Sequence, residues 1–129
     1  MIEEALKTRL GSHAGLVALI AQRAYPVLLP QSPVYPALTY SRVSAQRDSV
    51  MGADSGLTRA RFNVTSWDTT YAGVKAVSEQ VRAALQRYRA TVGGIEIQDI
   101  FILNDTDLFD DATRIHYVAS DFEVIFREA

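Results

Sequence analysis

Apolar positions open the chain at helical spacing. Ile2, Ala5, Leu6 and Leu10 fall on one face of a short helix over residues 2–10. Gly11 is placed to stop it, and Ser12 to cap a second helix over residues 13–23, whose buried side is Leu16, Leu19 and Ile20. Two short helices joined by a tight turn have little core of their own, so they must pack on something larger. From Tyr25 to Pro36 the pattern breaks. All four prolines, Pro26, Pro30, Pro33 and Pro36, lie in this stretch, and proline forbids a helix interior and discourages an inner strand. The stretch reads either as an extended arm anchored by Val27, Leu28, Leu29 and Tyr35 or as an irregular connection.

Alternation then takes over. Residues 37–46 read as one strand and 57–67 as another. In the second, Ala60, Phe62, Val64 and Ser66 share one face, and Arg59, Arg61, Asn63 and Thr65 the other, which makes a half-buried strand with a basic outer stripe. The intervening segment, Arg47 to Gly56, is small, polar and longer than a hairpin turn needs to be. It is expected to be a loop, mobile in a free subunit. The strongest helical pattern covers residues 70–90. Tyr71, Val74, Val77, Val81, Leu85 and Tyr88 face inward, and Lys75, Glu79, Arg82, Gln86 and Arg89 line the other side. Asp68, Thr69 or Thr70 can cap this helix, and Gly93-Gly94 ends the segment. Two further strands follow, over residues 95–103 and 114–127. The last changes phase, with Ile115, Tyr117 and Ala119 giving way to Phe122, Val124 and Phe126, which predicts a bulge near Ser120-Asp121. Ile95 and Ile97 followed by Ile100 and Ile102 predict a similar slip. The element order gives an α+β fold: a mainly antiparallel four-stranded sheet with a long helix and two short N-terminal helices packed on it, in a single domain over residues 1–129.

Composition narrows the function classes. The chain has 129 residues, 48% of them hydrophobic, enough for one domain with a real core. A formal net charge of -2 argues against a general nucleic-acid binder. The absence of cysteine removes disulfides, thiolate catalysis and cysteine-based zinc sites. The acidic, helix-like start Met1-Ile2-Glu3-Glu4 does not fit a signal peptide. The longest apolar run, near Leu16 to Ala21, is too short to span a bilayer. A soluble product made in a cytoplasm is the expectation.

Candidate chemistry is thin. His13 falls at a helix start and His116 in a strand, and neither has the neighbours of a catalytic triad. Asp105, Asp107, Asp110 and Asp111 carry oxygen ligands at a spacing that could hold calcium, yet the glycine and distal glutamate of an EF-hand loop are missing. Aspartates between two strands more simply make a turn. Gly52-Ala53-Asp54-Ser55-Gly56 lacks the lysine of a phosphate loop. Arg42, Arg47, Arg59 and Arg61 would approach one another if the first two strands pair. They would then meet an acidic partner or line a channel containing DNA, or else form a solvated sheet face.

Taken in order, several segments resemble the tail-completion (tail-terminator) family of long-tailed bacteriophages. They are Met1-Ile2-Glu3-Glu4-Ala5-Leu6, Arg23-Ala24-Tyr25-Pro26, Pro36-Ala37-Leu38-Thr39-Tyr40, Phe62-Asn63-Val64, the helix from Tyr71, and Arg114-Ile115-His116-Tyr117-Val118-Ala119-Ser120-Asp121-Phe122-Glu123-Val124. The resemblance implies a structural, non-enzymatic virion protein without cofactor or metal. Such a protein is made in the bacterial host cytoplasm and located at the head–tail junction. Its implied assembly is a homo-oligomeric, hexameric ring that caps the tail tube, ends tube polymerisation and provides the interface for head–tail joining. The implied partners are the tail-tube protein and a head-completion protein, with DNA passing through the lumen and no membrane involved. The Arg47 to Gly56 segment would be a contact element, so Arg42, Arg47, Asp48, Met51, Asp54, Arg59 and Arg61 are the interface or lumen candidates. The alternatives are a head-completion or minor tail protein, a generic oligomeric binding module outside phages, and an enzyme built around His116 and the aspartate segment.

Overall fold

The computed structural model describes residues 2–50 and 53–128. Among these, the elements run α1 (Ile2–Ser12), α2 (Ala14–Ile20), β1 (Ala24–Pro26), β2 (Ala37–Val50), β3 (Ala53–Asp68), α3 (Tyr71–Leu85), β4 (Ala90–Val92), β5 (Ile95–Asp110) and β6 (Ile115–Glu128). The strands form one sheet in the order β1-β2-β3-β6-β5-β4. Every pairing is antiparallel except that of β1 with β2, which is parallel. The α+β class holds, but the sheet is six-stranded and mixed, not four-stranded and antiparallel. The two added strands are three residues each, too short to show a periodicity. Pro26 is admissible in β1 because that strand is an edge. β4 reaches β5 through Gly93 and Gly94, both at positive φ (56° and 82°), the geometry of a tight hairpin turn.

All three helices lie on one face of the sheet. The N-cap Thr70 accepts a hydrogen bond from the Gly73 amide at 3.1 Å, which starts α3. Val74, Val77, Val81, Ala84 and Leu85 then bury against the strands. Val77, Val81, Ala84 and Leu85 meet Phe62, Val64, Ile100, Phe122 and Val124 in one cluster that also takes in Ile2, Leu6, Leu10, Leu16 and Ile20 of α1 and α2. Each large apolar side chain buried in this way contributes roughly 1.5–3 kcal/mol relative to exposure.

Several boundaries differ from the sequence expectation, each for a local reason. α1 runs through Gly11 to Ser12, and the Ser12 hydroxyl donates to the Arg9 carbonyl (2.9 Å) and does not cap α2. α2 stops at Ile20, because Ala21 turns to φ 54°. α3 stops at Leu85: the Arg87 amide donates to the Ile100 carbonyl (2.5 Å), and the Gln86 side chain accepts from the Ile102 amide (2.7 Å), so the sheet takes the chain from the helix. At the other end of α3, Tyr71 is 53% exposed and is not a packing residue. Tyr88 lies beyond the helix, with the Arg9 guanidinium 4.2 Å over its ring.

Within the Arg47 to Gly56 segment, the described residues 47–50 and 53–56 are strand rather than loop. β2 and β3 stay paired through Ser49↔Asp54 and Val50↔Ala53. Small polar residues suit a strand ladder as well as they suit a loop. Of the aspartate segment, Asp105, Asp107 and Asp110 lie in the second half of β5, which pairs with β6 as far as Asp110↔Ile115, and the expected turn is confined to residues 111–114, where the Asp110 carboxylate accepts from the Ala112 amide (3.1 Å). No bulge interrupts β6 against β3, whose register is unbroken from Leu57↔Arg127 to Asp68↔His116. The phase change in the sequence instead reflects both faces being covered near the start of β6. The expected slip in β5 is real, with shifts between Ile97 and Asp99 and between Ile102 and Asn104.

Candidate assembly surface

The sheet face away from the helices divides into an aromatic end and a polar centre. At the aromatic end Trp67 stacks on Tyr117 (centroids 4.7 Å), and its indole N–H donates to the Thr39 hydroxyl at 3.1 Å. This pair covers Thr39, Thr65 and Ala37, which are buried although no helix lies over them. At the centre, Arg61 donates to Asp121 (2.9 Å), Asn63 to the other Asp121 oxygen (3.2 Å), and Thr65 to Asn63 (2.5 Å). The basic stripe expected on β3 thus meets acidic residues of β6, Asp121 by hydrogen bond and Glu123 by register with Arg61.

The four arginines do not form one set. Arg59 and Arg61 lie on the helix-free face. Arg42 pairs in register with Phe62, which puts it on the helix side of the sheet. There it borders a groove of about 430 Å³ with Glu3, Glu4, Pro26, Val27, Tyr40 and Ser41. A bulge between Arg42 and Ser44 separates the two sides. Arg47 registers with Thr58, Asp48 falls in the second β2 irregularity, and Asp54 registers with Ser49. Met51 lies outside the described residues. In the groove, the Tyr40 hydroxyl is held above its usual pKa, first by burial and then by the negative charges of Glu3 and Glu4.

A second cluster, unexpected from sequence, ties α3 to the far half of β5. Asp107 accepts from the Tyr71 hydroxyl (2.8 Å) and from the Lys75 ammonium (3.2 and 3.3 Å). The Tyr71 hydrogen bond, and after it that of Lys75, lowers the Asp107 pKa. The same contacts raise those of Tyr71 and Lys75. His116 lies against Phe109 (4.7 Å) and edge-on to Tyr71 (5.8 Å), and His13 contacts the Gln80 side chain at 3.2 Å. The signal for this cluster was Asp107 in a strand facing a helix, hidden because aspartates between strands favour turns. Among the described residues, no group of three or more His, Cys, Asp or Glu is placed to hold a metal. None of the described helices is long and apolar enough to cross a membrane.

A curved α+β layer with polar surface clusters and long exposed strands is the anatomy of a building block. The model of the family "Tail completion protein gp17" matches residues 4–127. The chain belongs to this family, and is a structural component of phage-type tails rather than a member of an enzyme family. A chain from the virion of a native gene transfer agent particle shares the fold, with a TM-score of 0.76 and 15% identity, over 98% of this chain and 94% of that one. No curated protein matches the chain.

Proposed function

We propose that this protein is one subunit of a ring, six copies in the simplest case, that closes the end of a phage tail tube. The ring stops tube polymerisation and presents the surface on which a DNA-filled head docks. The observation that supports this reading best is the family match over residues 4–127. A domain of this size is too small to cap a wide symmetric tube alone. Cyclic repetition lets each copy meet one tube subunit through the same contact. Arg42, Arg47, Asp48, Met51, Asp54, Arg59 and Arg61 are assigned to the interfaces and the lumen. In a lumen, Arg59 and Arg61 would contact the DNA backbone without reading sequence. The description of the virion-derived neighbour names a particle and no position within it. A head-side completion or minor tail role is therefore the second reading.

Electron microscopy of tails carrying the labelled protein separates the two. A terminal ring between tube and head is expected. Label confined to the head vertex, or to single copies along the tube side, would overturn the capping reading.

A further inference from the structure

We propose that neighbouring copies join edge to edge, with the open margin of β5 at residues 103–109 of one copy pairing antiparallel with the open margin of β2 at residues 41–46 of the next. This names the subunit contact of the ring and rests on that reading.

Both margins are unpaired among the described residues. β4 covers β5 only from Ile95 to Ile97, and the Arg87 amide and Gln86 side chain serve Ile100 and Ile102. Past these, the β5 backbone bonds inward to β6 alone. On the other side, β1 covers β2 only from Leu38 to Tyr40, and the Val27 amide donates to the Tyr40 carbonyl at 2.9 Å. Beyond it, residues 41–46 bond to β3 alone. Open strand margins of this length invite a further strand, and proteins that leave them open without blocking them use them for pairing.

Three observations select a second copy of this chain as the occupant. The first is direction. Successive antiparallel pairings of β2 with β3, β3 with β6 and β6 with β5 leave β2 and β5 opposed. A second copy in the same orientation therefore offers its β2 antiparallel to this β5. The second is charge. The β2 margin carries Arg42 and leads into Arg47, whereas the β5 segment carries Asp105, Asp107 and Asp110 and turns through Asp111. Lys75 and Arg114 answer Asp107 and Asp111 within the chain, which leaves the β5 margin acidic. Pairing β2 with β2, or β5 with β5, would set like charges across the ladder, which is destabilising. The third is apolar exposure. Leu103, Leu108 and Phe109 are 41–47% exposed on β5, and Val43 is 57% exposed beside the Arg42 groove on β2.

The two margins also lie at different heights. Ser41 is level with Asn104 through Asn63 and Asp121. From that level the β2 margin runs one way along the strands and the β5 margin the other. Pairing their midpoints steps each copy by about four to five residues, roughly 15 Å. Four strands at about 4.8 Å spacing give a width of roughly 19 Å, so the step corresponds to a tilt of about 38°. That is close to the 35–45° at which closed sheets run. The joint thus suits a closed ring of copies.

The chain has no cysteine, so introduced thiols report alone. Ser44 and Thr106 are exposed, and their register partners Arg61 and Ala119 place both on the helix-free face. Tails are assembled from S44C, from T106C, from an equal mixture and from the S44C/T106C double variant, then treated with a short thiol–thiol linker. The mixture should shift to dimer mass, the double variant should give a ladder up to a closed species, and each single variant should stay monomeric. S44C–S44C or T106C–T106C dimers, or linkage to the tube protein instead, would overturn the edge pairing. So would a ring visible by microscopy in which neither S44C/T106C nor the Q46C/N104C pair on the same face cross-links. A missing terminal ring would instead count against the capping reading, while a ladder formed by the double variant would still uphold the pairing.

Discussion

Asp107 shows how one side chain can be read correctly as to type and wrongly as to place. In sequence it belongs to a turn-forming cluster. In the fold its carboxylate holds Tyr71 and Lys75 against β5. Its lowered pKa contributes stability that is present above the ordinary aspartate value of 3.8 and is lost as pH falls through the folded value. Tyr71 and Lys75 are shifted upward, so their share is present below 10.0 and 10.5 and is lost as pH rises through their folded values. Carboxyl-carbon NMR should find Asp107 titrating below an ordinary aspartate, and Asp107→Asn should return Tyr71 toward 10.0. An Asp107 titration at the ordinary value would refute this contact. The side chains are exposed, so the variant should leave thermal stability near neutral pH almost unchanged. Leu85 is the opposite case. It is 1% exposed in the core cluster, and Leu85→Ala should cost about 2–5 kcal/mol, read from the urea midpoint. A loss under about 1 kcal/mol would mean that α3 is not packed as described.

At the scale of elements, long periodic segments were legible and short or wet ones were not. Phe62, Val64 and Ala60 alternate because one face of β3 is buried, so strand and face both followed from the pattern. Val74, Val77, Val81 and Leu85 gave α3 for the same reason. β1 and β4 have no such signature, since three residues cannot display a period and tertiary pairing alone holds them in the sheet. The far halves of β2 and β5 carry polar residues on both faces, and nothing in hydrophobicity separates such a strand ladder from a loop. The site suffers most from this gap. Arg59 and Arg61 were placed by alternation, but the bulge between Arg42 and Ser44 that sends Arg42 to the other side leaves no mark in the sequence. The α3 cap was legible as a choice among Asp68, Thr69 and Thr70, and the structure selects Thr70. Thr70→Ala should destabilise by about 0.5–2 kcal/mol in chemical denaturation, and Thr70→Asp by much less. Equal effects of the two would remove the cap from the account.

For the whole molecule, stability should be uneven in a way amide exchange can map. Amides of α3, β3 and β6 belong to the most deeply packed layer and should exchange only on global unfolding. Outward amides in residues 41–46 and 103–109 should exchange freely in the isolated chain and slow on assembly. Equal protection of these two margins in both states would contradict their use as contacts. A final consequence follows from the direction of the two long hairpins. The paired ends of β2 and β3 at Val50 and Ala53 lie beyond the end of β6, whereas residues 111–114 turn at the start of β6, beside Asp68. The molecule therefore has a front and a back that share no sequence. A polymer of identical units grows because each unit re-creates the end it consumed. A unit that accepts one end and offers a different one breaks that recurrence. On the capping reading proposed above, length control at the last step would need no measuring device, only a subunit whose exposed face does not re-create the tube end it binds.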